Sequence, residues 1–128
     1  MAEYTCDHVH LRSADASAAA EFYVDRFGAV PQFRRTVDGM ERVGLDLGGL
    51  TVFIDQVPEG TATSPPAPFI GIEHICLAVR GLDAAAAKLR AKGVTFVVEP
   101  RELRPGLRFA FVEGPDSVRI ELVDRTPA

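Results

Sequence analysis

The chain is predicted to be an α+β protein, two paired βαβββ modules forming a curled mixed-sheet cup with the helices outside. Three observations point there. An internal repeat relates the two halves, because Asp7-His8-Val9-His10-Leu11 matches Glu73-His74-Ile75-Cys76-Leu77 at an offset of 66 residues. The same offset relates Val52-Phe53-Ile54-Asp55-Gln56-Val57 to Val118-Arg119-Ile120-Glu121-Leu122-Val123. Between these matched segments, each half carries one Ala-rich amphipathic stretch followed by β-like runs.

In chain order, Val9 and Leu11 alternate with His8, His10 and Arg12, which is the period of a strand with one apolar face. A helix follows over Ala16 to Phe27, with Ala19, Phe22, Tyr23 and Phe27 at helical spacing, Asp15 or Ser13 as its N-cap and Gly28 as its left-handed stop. Three strands complete the half: Ala29 to Arg35, Glu41 to Leu47 and Leu50 to Val57, turned by Asp38-Gly39 and Gly48-Gly49. The second half repeats this order. Ile75, Leu77 and Val79 alternate; Asp83 caps a helix over Ala84 to Lys92 whose stripe is Ala85, Ala86 and Leu89, with Gly93 behind it; strands follow at Val94 to Val97, Leu107 to Val112 and Val118 to Val123. Modules 1–58 and 70–128 are therefore expected to form one domain, joined by an extended Gly/Pro/Ser/Thr-rich linker over 59–69.

Composition narrows the function. The 128 residues are 47% hydrophobic and 25% charged, the balance of an ordinary globular domain. A net charge of −4 with no Lys/Arg cluster disfavours nucleic acid, and no apolar run is long enough for a membrane span. The opening MAEYTCDHVH has neither a basic nor an apolar leader region, so a cytoplasmic address is expected, and two cysteines, Cys6 and Cys76, make a disulfide scaffold improbable.

Strand parity then selects a face. If Val52 and Ile54 point toward the first helix and Ile120 and Leu122 toward the second, then His8, Asp55, His74 and Glu121 all lie on the opposite, cup face. The His-to-carboxylate separation is 47 residues in both halves. Two imidazoles and two carboxylates suit a divalent ion such as Zn²⁺, Ni²⁺, Co²⁺, Mn²⁺ or Fe²⁺, with His8, Asp55, His74 and Glu121 as its ligands. A hard ion with open positions binds a hydroxy-carbonyl compound and stabilises the enediolate left by proton loss. Glu121 and Asp55 are the carboxylates available to carry that proton, and Glu121 has the longer reach. On the same face, His10, Arg12, Phe53 and Arg119 are candidate substrate-binding residues, while Cys76 reads as a small wall residue.

The pattern His8-x-x-Leu11-Arg12, Glu21-Phe22-Tyr23, Phe27-Gly28, His74-Ile75-x-Leu77-Ala78-Val79, Lys92-Gly93-Val94, Phe111, Asp116 and Ile120-Glu121 resembles the vicinal-oxygen-chelate superfamily, and within it glyoxalase I. The resemblance covers nearly the whole chain. It implies paired βαβββ modules, a metal on His8, Asp55, His74 and Glu121, Glu121 as both ligand and base, Arg12 against a glutathione carboxylate, a small-molecule substrate and a homodimer. Two positions depart from that pattern: Asp55 stands where a Glu is usual, and Pro68-Phe69-Ile70-Gly71-Ile72-Glu73 lacks the basic residue that helps hold glutathione.

Three readings follow, in this order: a metal-dependent lyase or isomerase that abstracts a proton next to a carbonyl; a metal-free or metal-assisted antibiotic-binding protein; and an Fe(II) dioxygenase using His8, His74 and Glu121 with Asp55 displaced.

Overall fold

The computed structural model describes residues 3–126. The chain divides into two compact units, Met1–Ala62 and Thr63–Ala128. Each is a four-stranded mixed sheet with one α-helix, as the α+β reading expects, and the second adds a short 3-10 turn at Pro115–Ser117.

The first unit runs β1 (Val9–Ser13), α1 (Ala16–Phe27), β2 (Val30–Val37), β3 (Met40–Leu47) and β4 (Leu50–Gln56), with sheet order β1-β4-β3-β2. β1 and β4 are parallel and the other pairs antiparallel. α1 starts where the Asp15 side chain accepts a hydrogen bond from the Ala18 N–H at 3.0 Å, satisfying one of the helix's orphan donors. It stops at Gly28, whose φ of 71° favours a residue without Cβ. The helix buries Ala16, Ala19 and Ala20, small residues that bring its backbone close to β1, β3 and β4, together with the large Tyr23. From the sheet, Val43, Leu45, Val52 and Ile54 meet it, each almost wholly buried. Burial of this kind contributes about 1.5–3 kcal/mol for each large aliphatic side chain. Phe22 and Phe27, expected in the buried stripe, are only half-buried, because the small Ala16 and Ala20 take the contact with the sheet.

The second unit runs β5 (Ile75–Ala78), α2 (Leu82–Ala91), β6 (Phe96–Arg104), β7 (Leu107–Glu113) and β8 (Arg119–Asp124), in the order β5-β8-β7-β6. Leu82, Ala86 and Leu89 form the buried face of α2, so Leu82 takes the place expected for Ala85. Asp83 does not cap the helix. Its carboxylate accepts from the Arg108 guanidinium at 2.7 Å, and the cap comes instead from β8, where Asp124 Oδ2 accepts from the N–H groups of Gly81 and Leu82 at 3.0 Å each. β6 is also longer than expected, because Pro100, which cannot donate to a ladder, sits in an edge strand whose register is interrupted by irregularities.

The two sheets differ in register by two residues. In the parallel pair of the first unit, Val9 lies opposite Val52 and His10 opposite Phe53. In the second, Ile75 lies opposite Ile120 and Cys76 opposite Glu121. The offset of 66 therefore holds between β1 and β5 and becomes 68 between β4 and β8.

Candidate functional site

His8 and His74 occupy matching places, each one residue before the first strand of its unit. Each follows an acidic residue that holds its ring. His8 Nδ1 lies 2.6 Å from Asp7 Oδ2, and His74 Nδ1 is hydrogen-bonded to Glu73 Oε2. An ionised carboxylate only accepts, so in the neutral ring Nδ1 carries the proton and Nε2 keeps its lone pair. That is the arrangement in which a carboxylate behind the ring orients an imidazole toward a metal.

In the second unit, His74 Nε2 faces Glu121 Oε1 at 3.1 Å. With Nδ1 protonated, these are two lone-pair atoms pointed at one another, and a cation between them or a second ring proton reconciles them. The Glu121 side chain is 20% exposed and that of His74 30%, enough for a small ligand to reach either. Glu73 is anchored in turn by Arg119, whose Nη1 donates to Glu73 Oε1 at 2.7 Å while its guanidinium lies 4.8 Å from the centre of the Phe111 ring. The His74 hydrogen bond, helped by Arg119, holds the Glu73 carboxyl below its usual range. Arg119, expected to touch substrate, thus supports the residue behind His74. Cys76 lies opposite Glu121 on the ladder; burial first, then its hydrogen bond to Glu121, pushes the thiol up to about 11.

The first unit is built differently. The His8 ring stacks on Phe53, with centroids 4.1 Å apart and planes 20° apart. Phe33 meets the other aromatic edge-on at 5.3 Å, over Gly44, where any side chain would collide with its ring. Asp55 does not meet His8. Arg42, its cross-strand partner, donates to both carboxylate oxygens, Nε to Oδ1 at 2.6 Å and Nη2 to Oδ2 at 2.9 Å, and His10 Nε2 lies 2.8 Å from Oδ2. Arg42, then His10, hold the Asp55 carboxyl below its usual range against the opposing effect of burial. Arg12 is exposed on β1, opposite Asp55 on the ladder.

The residues singled out from the sequence thus fall into a His8–Phe53 stack, an Arg42–Asp55–His10 chain and a Glu73–His74–Glu121 chain. Among the described residues, no group of three or more His, Cys, Asp or Glu side chains is placed to hold a metal ion. The donor chemistry of His74 and Glu121 fits a divalent cation. Both oxygens of Asp55 are engaged by Arg42 and His10. Arg42 and Phe33 escaped the sequence reading, and Phe111 entered it only within the family pattern, although Arg42 alternates with the buried Val43 and so shares the face of Asp55. The acids before both histidines were visible in the repeat itself.

The sequence matches the model of the family described as Glyoxalase/Bleomycin resistance protein/Dioxygenase superfamily over residues 5–122. No curated protein matches. Among solved structures, the chain is similar to a glyoxylase/bleomycin resistance protein/dioxygenase domain from Frankia sp. EAN1pec, at 20% identity and TM-score 0.81, over 96% of this chain and 93% of that one. It is also similar to a glyoxalase family protein from Enterococcus faecalis, at 20% identity and TM-score 0.78, over 94% and 97%. A third similar structure is the fosfomycin resistance protein FosX from Listeria monocytogenes complexed with Mn(II) and sulfate, at 18% identity and TM-score 0.72, over 98% and 95%. At these identities the structures speak for the fold, and the family match covers most of the chain; the protein belongs to the Glyoxalase/Bleomycin resistance protein/Dioxygenase superfamily.

Proposed function

We propose that the protein is a metal-dependent lyase or isomerase of the glyoxalase kind, which removes a proton next to a carbonyl of a small hydroxy-carbonyl or thioester substrate. The observation that carries this reading is the approach of His74 Nε2 to Glu121 Oε1 at 3.1 Å, with Glu73 holding the other ring nitrogen. His74 and Glu121 would hold the cation. A bound divalent ion supplies Lewis-acid stabilisation of the negative charge that develops on the substrate oxygen. Glu121 accepts the proton from carbon through a carboxylate oxygen and returns it to the neighbouring position. The Cys76 thiol, hydrogen-bonded to that carboxylate, restrains it. Asp55, expected from the sequence as a fourth ligand, is committed to Arg42 and His10.

A second reading, an antibiotic-binding or antibiotic-modifying resistance protein, is favoured by the aromatic group of His8, Phe53 and Phe33, which offers flat apolar surface to a ligand. The fold similarity to FosX makes fosfomycin the first antibiotic to try. A panel of hemithioacetals, malonyl-thioester epimers, catechols and fosfomycin, each assayed with Zn²⁺, Ni²⁺, Co²⁺, Mn²⁺ and Fe²⁺, separates the readings. Turnover of a carbonyl substrate supports the first. Binding or consumption of an antibiotic with no carbonyl turnover supports the second. Light scattering on the same preparation tests the homodimer the resemblance implies.

A further inference from the structure

The face of the second sheet that carries Glu121 continues beyond it. Side chains on one face of a strand recur every second residue, so the parallel β5–β8 pair presents Cys76 beside Glu121 and then Ala78 beside Val123. The Val79 N–H donates to the Val123 carbonyl at 2.9 Å, which carries the pairing past the end of β5. The next pair on that face is Arg80 and Arg125. Both line one cavity of about 350 Å³, together with Ala78, Val79, Val123 and Thr126.

Two guanidinium groups brought to one cavity repel each other unless an anion lies between them. This chain supplies none: among the described residues, neither Arg80 nor Arg125 makes a hydrogen bond or an ion pair. The adjacent acid, Asp124, is one residue out of step and is spent elsewhere, its Oδ2 accepting from the N–H groups of Gly81 and Leu82 and its Oδ1 from that of Thr126. The field of Arg125 reaches back along the face. Burial and then Glu121 raise the Cys76 thiol, and the Arg125 charge acts against them.

We propose that Arg80 and Arg125 form a binding site for the phosphoryl group of a small phosphate monoester, with Ala78 and Val123 as the wall beneath its carbon part. Charge selects the group. Two unopposed guanidinium charges match a phosphate monoester, which carries about −1.5 to −2 at pH 7, better than a singly charged carboxylate. Planar guanidinium forks also meet phosphoryl oxygens two at a time. Size selects the ester over the free ion, since a cavity of about 350 Å³ lies within the range of small-molecule sites, about 300–1,000 Å³. Glu121 is four residues back along β8, about 13 Å by strand geometry, and the site needs no metal.

The test is a titration with phenyl phosphate of protein freed of metal by EDTA and then dialysed, followed through the backbone ¹H–¹⁵N signals of Arg80, Gly81, Arg125 and Thr126. With no cation at His74 and Glu121, the outcome is independent of the metal reading. Saturable shifts are expected at those four residues, with a Kd of about 1 mM or tighter. Arg80→Gln and Arg125→Gln should each weaken binding by about tenfold, the worth of a charge-assisted hydrogen bond. Arg104→Gln, an exposed arginine at the end of β6, should leave it unchanged. Inorganic phosphate, which lacks the apolar part, and benzoate, which lacks the second charge, should each bind at least about threefold more weakly. No saturable shift up to about 20 mM would overturn the site, as would equal weakening by Arg104→Gln or retained binding in the double variant of Arg80→Gln and Arg125→Gln. Benzoate bound as tightly as phenyl phosphate would overturn the choice of a phosphoryl group, and inorganic phosphate bound as tightly would overturn the choice of an ester.

Discussion

His74 Nε2 and Glu121 Oε1 stand 3.1 Å apart, while Glu73 Oε2 accepts a hydrogen bond from Nδ1 of the same ring. A strand register, a preceding acid and a cross-strand arginine combine to produce that opposition. Arg119 holds Glu73, Glu73 holds the ring, and the β5–β8 ladder brings Glu121 to its edge. The chain of support runs through polar contacts, while the opposite face of the same sheet is fully committed to α2 through Ile120 and Leu122.

Glu121→Gln keeps an oxygen toward His74 and removes the basic one. Turnover of any carbonyl substrate should fall by at least about 100-fold, the usual size of a general-base contribution, while the metal stays bound. Steady-state kinetics beside metal analysis of the same variant checks this, and retained turnover would remove Glu121 from the proton-transfer role.

Cys76 should be a slow nucleophile. With its thiol pushed up to about 11 by burial and by Glu121, the thiolate at pH 8 amounts to roughly one part in a thousand. Alkylation by iodoacetamide, followed by mass spectrometry, should therefore run roughly 100-fold slower at Cys76 than at a model thiol of ordinary acidity.

Gly44 is required by packing. A methyl group there would overlap the Phe33 ring, which lies edge-on to Phe53. Gly44→Ala should cost about 1–3 kcal/mol in denaturant unfolding, as overpacked sites do. A change below a few tenths would mean that the ring moves aside freely.

Asp124 ties the end of β8 to the start of α2 and accepts from Thr126 as well; these hydrogen bonds, Thr126 first, lower its carboxyl to about 2. Because the folded value lies below the unfolded one, its contribution to stability is complete above the ordinary carboxylate range and disappears as pH falls toward 2. Wild type should therefore melt higher than Asp124→Ala at pH 6, and the gap should close between about pH 4 and pH 2. A gap that persists unchanged at pH 2 would assign the effect to packing rather than to the charged carboxylate.

Much of this architecture is legible in the sequence because repetition and parity are local signals. The offset between His8 and His74, the left-handed stop at Gly28 and the cup-face alternation of Asp55 and Glu121 all survive in the structure. Parity, however, is blind to shifts by two residues. It matched Asp55 with Glu121, whereas the ladders set Phe53 opposite His10 as they set Glu121 opposite Cys76, since a slip of two preserves every inward-outward relation while moving a side chain about 7 Å along the strand. Long-range caps are equally invisible: Asp83 looks like an N-cap because it is acidic and adjacent, yet Asp124, far away in sequence, takes the two N–H groups. Arg42 belongs to the same class, for its importance depends on facing Asp55 across β3 and β4.

The claim on which the functional account turns is that His74 and Glu121 hold a divalent cation. Metal analysis of protein purified without chelator, repeated on His74→Ala, tests it most directly. The account predicts about one divalent ion per chain in the wild type and loss of that ion in a folded His74→Ala variant; metal-free native protein that also fails to take up Mn²⁺, Zn²⁺ or Ni²⁺, or a His74→Ala variant that keeps the full complement, would contradict it.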